Sequence, residues 1–116
     1  MLALAALLQA IGGYAHAFAF FRTMSAAMDA SDLSPFLRGS FKGLWLADST
    51  TMFSLAVMFG LVAARPAIAS RPLVMLLALI PAATGALIYI YLGPFFAGHI
   101  LMATAALVAL GGWQLR

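Results

Sequence analysis

The chain has 116 residues, 66% of them hydrophobic and only 8% charged, with six basic against three acidic side chains. A soluble domain carries about a quarter charged residues, so so few charges cannot cover a water-facing surface, and lipid must solvate most of the exterior. Cysteine is absent, which excludes disulfide, thiolate–metal and Cys-nucleophile chemistry; the small basic excess sits at the ends of apolar runs, a mark of membrane topology and not of nucleic-acid binding.

Residues 1–21 form an apolar run broken only by Gln9, Tyr14 and His16. A signal peptide is the competing reading, but the run lacks a basic start and exceeds a usual h-region. Its length suits a retained transmembrane helix. Residues 22–42 hold Arg22, Asp29, Asp32, Arg38 and Lys42. Within them Ser34-Pro35 reads as a helix start, with Ser as cap and Pro in the first turn. The first helix is expected to run on to about Met28 and the second to begin near Pro35, so that a helical hairpin overhangs the membrane.

Residues 43–64 make the second span, closed by Arg65-Pro66. The linker to Arg71-Pro72 is short and Pro-bounded, a turn between antiparallel helices. Residues 73–92 make the third span. Pro81 near its middle removes a backbone donor and favours a kink. Gly93-Pro94 stops that helix, and residues 94–113 make the fourth. Four spans with short connections predict an all-α membrane protein, a single domain of four transmembrane helices in an up-down-up-down antiparallel bundle. The positive-inside count is three against three. The two Arg of the second linker, unopposed by acid, favour a multi-pass cell-membrane protein with both termini cytoplasmic.

The polar residues inside the spans carry the functional reading. Asp48 is the most demanding, because an ionised group at depth costs about 2.5–3.5 kcal/mol on insertion scales and needs a partner. His16, Asp48, Tyr89 and His99 each lie three to five residues inside the end of their span. With alternating helix directions all four fall near one membrane surface, roughly 5–8 Å below it at 1.5 Å per residue. Helical spacing aligns Gln9, Gly13, His16 and Phe20 on the first span. It aligns Trp45, Asp48 and Met52 on the second, with Thr51 beside them. On the third it aligns Pro81, Gly85 and Tyr89, and on the fourth His99, Ala103, Ala106 and Leu110. If these stripes face inward, one polar pocket holds His16, Asp48, Tyr89 and His99, with Gln9, Trp45 and Thr51 near it. A His–Asp pair favours imidazolium and carboxylate together, and Lys42 is a rival partner for Asp48 through its long side chain.

No cofactor is predicted. His16, His99 and Asp48 are weak candidates for zinc, iron or a bis-His haem, since no ligand pair has a diagnostic spacing. Intramembrane Asp and His are parts of proton relays and substrate sites, and Pro81 gives a broken helix of the kind transporters use. The favoured reading is a pocket that binds a small apolar or amphipathic molecule or transports it, with proton coupling as one form of that transport, in a chain small enough to need a homodimer. In size and span count the chain is similar to the small multidrug resistance transporters. Its first span, however, lacks the acidic residue where that family places its substrate-coupling Glu, so no site residue is carried over. The alternatives are an accessory subunit of a larger membrane complex, in which the cluster only locks helix register, and an enzyme acting on a lipid or isoprenoid, with His16, Asp48 and His99 as acid–base groups.

Overall fold

The computed structural model describes residues 1–115 and is helical throughout, with no strand among the described residues. Four helices are long and apolar enough to cross a membrane: α1 (Leu2–Asp29), α2 (Pro35–Ala64), α3 (Arg71–Leu92) and α4 (Phe96–Trp113). At 1.5 Å per residue, α1 and α2 reach about 42–45 Å, well beyond a hydrocarbon core of about 30 Å. They account for most of the 53 Å long axis.

Local chemistry sets the helix ends. Ser34 caps α2 by accepting the Leu37 N–H at 3.4 Å, and Pro35 occupies the first turn. A short 3₁₀ turn, Pro66–Ile68, follows Arg65. α3 starts at Arg71, two residues earlier than its apolar run, because Pro72 is tolerated in the first turn, where no intrahelical donor is needed. Gly93 ends α3 at φ 68°, a left-handed conformation suited to glycine. Phe95 is extended, so α4 begins at Phe96 and not at residue 94.

Two helices carry internal irregularities. In α3 the regular ladder breaks at Ala78, whose N–H reaches back to the Met75 carbonyl at 3.2 Å. The cause is Pro81, which cannot donate to the Leu77 carbonyl and crowds it. In α1 a π turn spans Phe20–Met24. The Phe20 N–H is shared between the Ala17 and His16 carbonyls, and the Thr23 hydroxyl takes the Ala19 carbonyl at 2.9 Å. A side chain entering the ladder in this way widens the turn.

Helix pairing follows from small residues. Gly13 lies under Met52 and Phe53, so α1 approaches α2 closely; an added Cβ there would sit 3.2 Å from the Met52 Cβ. Further towards the chain ends Ala6 faces Gly60, and beyond the π turn Asp29 meets Lys42, so the two helices run in opposite directions. In the second hairpin Gly98 faces Tyr89 and Gly112 faces Val74 and Met75, again in opposite directions. Leu2 of α1 lies on Gly111 of α4 and joins the two hairpins. Close van der Waals contact of this kind, which small residues permit, is how apolar helices pack on one another. The largest core cluster, Leu2, Ala5, Leu55, Phe59, Val62, Val74, Ala78 and Val108, gathers all four helices at the end that holds the termini.

One stripe faces the other way from the sequence reading. His99, Ala103, Ala106 and Leu110 of α4 are exposed, while Gly98, Leu101, Thr104, Ala105, Val108, Gly111 and Gly112 are buried. The glycines decide this, because only that face lets α4 touch Tyr89, Val74 and Leu2 at once.

Candidate functional site

The end of the bundle opposite the main core carries two separate polar groups. The first joins α1 to α2. Trp45, Asp48 and Ser49 stand at i, i+3 and i+4 on α2 and therefore share one face. His16 enters that face from α1. Its ring stacks on the Trp45 indole with centroids 4.4 Å apart and planes at 11°. The Trp45 Nε1–H donates to the His16 carbonyl at 3.0 Å, the same carbonyl that the strained turn at Phe20 shares. His16 Nδ1 lies 2.9 Å from Ser49 Oγ, and Nε2 lies 3.6 Å from Asp48 Oδ2.

The Ser49 hydroxyl stands 3.4 Å from the Trp45 carbonyl and 2.9 Å from His16 Nδ1, and the imidazole tautomer decides which of the two groups donates in the second contact. The imidazole and carboxylate of His16 and Asp48 stand close enough to act on one another directly. The pair is not sealed: the side chains retain 29% and 40% of their exposure.

The second group joins α3 to α4. The Tyr89 hydroxyl and His99 Nδ1 are 2.6 Å apart, with ring centroids at 5.4 Å. Tyr89 is half-buried against Gly98, and His99 is exposed. The four residues singled out in the sequence thus fall into two pairs, His16 with Asp48 and Tyr89 with His99, and no hydrogen bond or ion pair joins the pairs among the described residues. No group of three or more His, Cys, Asp or Glu side chains placed to hold a metal occurs among those residues.

The surrounding candidates separate clearly. Lys42 does not serve Asp48; it donates to both carboxylate oxygens of Asp29, at 2.8 and 2.7 Å, across the overhanging hairpin. Arg38 donates to the Asp29 carbonyl. Together they hold the exposed Asp29 carboxyl, which lies beyond the apolar run, below the usual carboxylate range, chiefly through the Lys42 hydrogen bonds. Thr51 is exposed and bonds back to the Ala47 carbonyl at 3.0 Å, away from His16. Gln9 shares the His16 face of α1 and is 1% exposed, and its Oε1 has no partner. A buried acceptor without a donor is costly. Ser49 was not singled out by the sequence reading; it bonds back to the Trp45 carbonyl and also meets His16 Nδ1, and its place four residues after Trp45 was the available signal.

No protein-family model, curated protein or solved structure matches the chain.

Proposed function

We propose that this chain is a multi-pass protein of the cell membrane, its four helices crossing up-down-up-down with both termini cytoplasmic. In this reading the His16–Asp48–Ser49 group is a proton-holding site where a small apolar or amphipathic molecule binds or passes. The observation that supports it is the approach of His16 Nε2 to Asp48 Oδ2, 3.6 Å apart, where both side chains keep part of their exposure. A ligand bearing a hydroxyl, amine or carboxyl can reach that pair from the bilayer and exchange a proton as it binds. Trp45 supplies a flat apolar wall beside it, and the unpartnered Gln9 acceptor extends the polar face deeper along α1.

A second reading rests on the same contacts. Trp45 and Ser49 each bond one element of His16, and this fixes the register of α1 against α2, as a membrane subunit that docks on a larger complex requires. The experiment that separates the two compares wild type with Asp48→Asn and Asp48→Ala, purified in mild detergent. Helical content and melting temperature are recorded, and co-purifying small molecules are extracted and quantified by mass spectrometry. The ligand reading expects both variants to fold and to lose about tenfold or more of a co-purifying molecule, as loss of one charge-assisted bond implies. Unchanged small-molecule content with a lowered melting temperature supports the register-locking subunit. Unchanged values of both remove Asp48 from any working site.

A further inference from the structure

The other end of the molecule holds an arrangement that the His16 group does not use. Arg71, at the start of α3, lies over the Trp113 ring with its guanidinium carbon 3.7 Å from the centroid. A guanidinium held over an indole keeps N–H donors with which it can bond an anion. Arg65 closes α2 and immediately precedes Pro66. Pro66, Gln114 and Leu115 form the shared wall of two clefts of about 270 and 370 Å³. The smaller is also lined by Leu2 and Val62. Along the chain Arg65 is next to Pro66, and Trp113, on which Arg71 lies, is next to Gln114, so both cations neighbour the lining of the clefts without forming part of it.

Neither arginine has a carboxylate within ion-pair distance among the described residues. Asp29 is taken by Lys42 and Asp48 faces His16, while Asp32 sits in the turn at the opposite end. Two like charges on a short linker, one of them held over an indole, favour an anion. The lining beside them pairs apolar Leu2, Val62 and Leu115 with the Gln114 amide. That mixture suits an ester-bearing glycerol and the first carbons of an acyl chain better than a hydrated inorganic ion.

We propose that Arg65, Arg71 and Trp113 with the adjoining clefts bind the phosphate and glycerol region of an anionic membrane phospholipid. Arg71 gives planar, fork-like bonds to the phosphate and Arg65 a second charge, while Trp113 sets the height at which the headgroup sits. Anionic lipid is concentrated in the cytoplasmic leaflet, so the site also anchors this end of the bundle on that side.

The test uses purified protein relipidated with equal phosphatidylglycerol and phosphatidylcholine, and retained lipid is counted by native mass spectrometry. Wild type is expected to retain phosphatidylglycerol preferentially. Arg65→Gln and Arg71→Gln are each expected to reduce that preference by about fivefold, the effect of one basic residue at the surface. Trp113→Leu is expected to weaken it with every charge in place. Arg22→Gln, at the opposite end, is expected to leave it intact. Each variant is required to keep the wild-type helical content, and Arg71→Lys, which keeps the charge and loses the planar fork, is expected to fall between wild type and Arg71→Gln. Equal retention of the two lipids by wild type overturns the site. So does an Arg22→Gln loss as large as that of Arg71→Gln, which indicates diffuse charge, or displacement of the lipid by inorganic phosphate at matched ionic strength. Asp48→Asn is expected to have no effect on this preference, so the outcome stands apart from that of the His16 site.

Discussion

The two helical hairpins each bring one histidine to a partner helix, yet they treat it differently. In the α1–α2 hairpin His16 is stacked on Trp45 and bonded to Ser49, and it faces Asp48, so its ring face, both ring nitrogens and its backbone carbonyl all meet α2. In the α3–α4 hairpin His99 has one bond, to Tyr89, and is exposed. What decides the difference is where the glycines lie. Gly13 sits one turn from His16 on the same face, so close approach of α1 to α2 and insertion of the ring go together. Gly98 is adjacent to His99 and so points about 100° away from it. There the close approach accommodates Tyr89, and the imidazole is left on the outer side. A polar side chain in an apolar helix is therefore drawn into a bundle only when the residues that let the helices touch share its face.

This comparison can be broken by filling its glycines. In Gly98→Ala the new Cβ would lie 2.7 Å from Tyr89 Cε1 and 3.2 Å from an Ile88 methyl, so the tyrosine ring must move. The expected cost is about 1–3 kcal/mol by overpacking, with loss of the Tyr89–His99 bond, read as a lower detergent melting temperature and an altered His99 imidazole resonance. In Gly12→Ala the close atom, at 2.6 Å, is the terminal methyl of Met52. That flexible tip can swing aside, so less than about 1 kcal/mol is expected. An equal penalty at the two positions would show that glycine packing does not distinguish the hairpins.

A smaller effect sharpens the account of His16. Ser49→Ala removes the hydroxyl partner of Nδ1, and Trp45→Phe removes the donor to the His16 carbonyl while keeping a ring to stack on; each is expected to cost about 1 kcal/mol. Because both act through one residue, the double variant should depart from additivity by about 0.5 kcal/mol or more. Strict additivity in equilibrium unfolding would mean that the two contacts are independent.

The smallest effect concerns the overhanging tip. Lys42 holds the Asp29 carboxyl below its ordinary range, so the ionised form is favoured when the hairpin is folded. The stabilisation is present above the unfolded-state pKa and is lost as pH falls through the lower folded value. Amide protection factors at residues 25–42, which correct for the slower intrinsic exchange in acid, should therefore fall on acidification, and Lys42→Gln should abolish that response. The exposure of Asp29 and screening by salt keep the effect small.

Much of the architecture was legible without coordinates. Four apolar runs, the Ser34-Pro35 start, the Arg65-Pro66 stop and the Gly93-Pro94 break all follow from side-chain volume, capping and the missing proline donor. The disturbance of α3 by Pro81 was legible for the same reason. The pairing of His16 with Asp48 was legible as well, because a carboxylate in an apolar helix requires a partner and matched depth supplied one. Lys42 was a plausible rival on reach alone; its engagement by Asp29 depends on the hairpin geometry beyond the apolar run. Ser49 was hidden because serine in an apolar helix satisfies itself locally, and nothing along the chain distinguishes a hydroxyl that also meets a neighbouring helix from one that does not.

Composition and punctuation by themselves determined that this protein is four long apolar helices suited to lipid, with ionisable groups inside them that need company. Only the tertiary structure decided which company each one has. In this bundle the outer face of each helix is as rich in large apolar side chains as the inner one, so the amphipathic signal that orients a soluble helix is faint. The rotation of α4, and with it the separation of His99 from His16, was left to the glycine contacts, and those exist only once the helices have met.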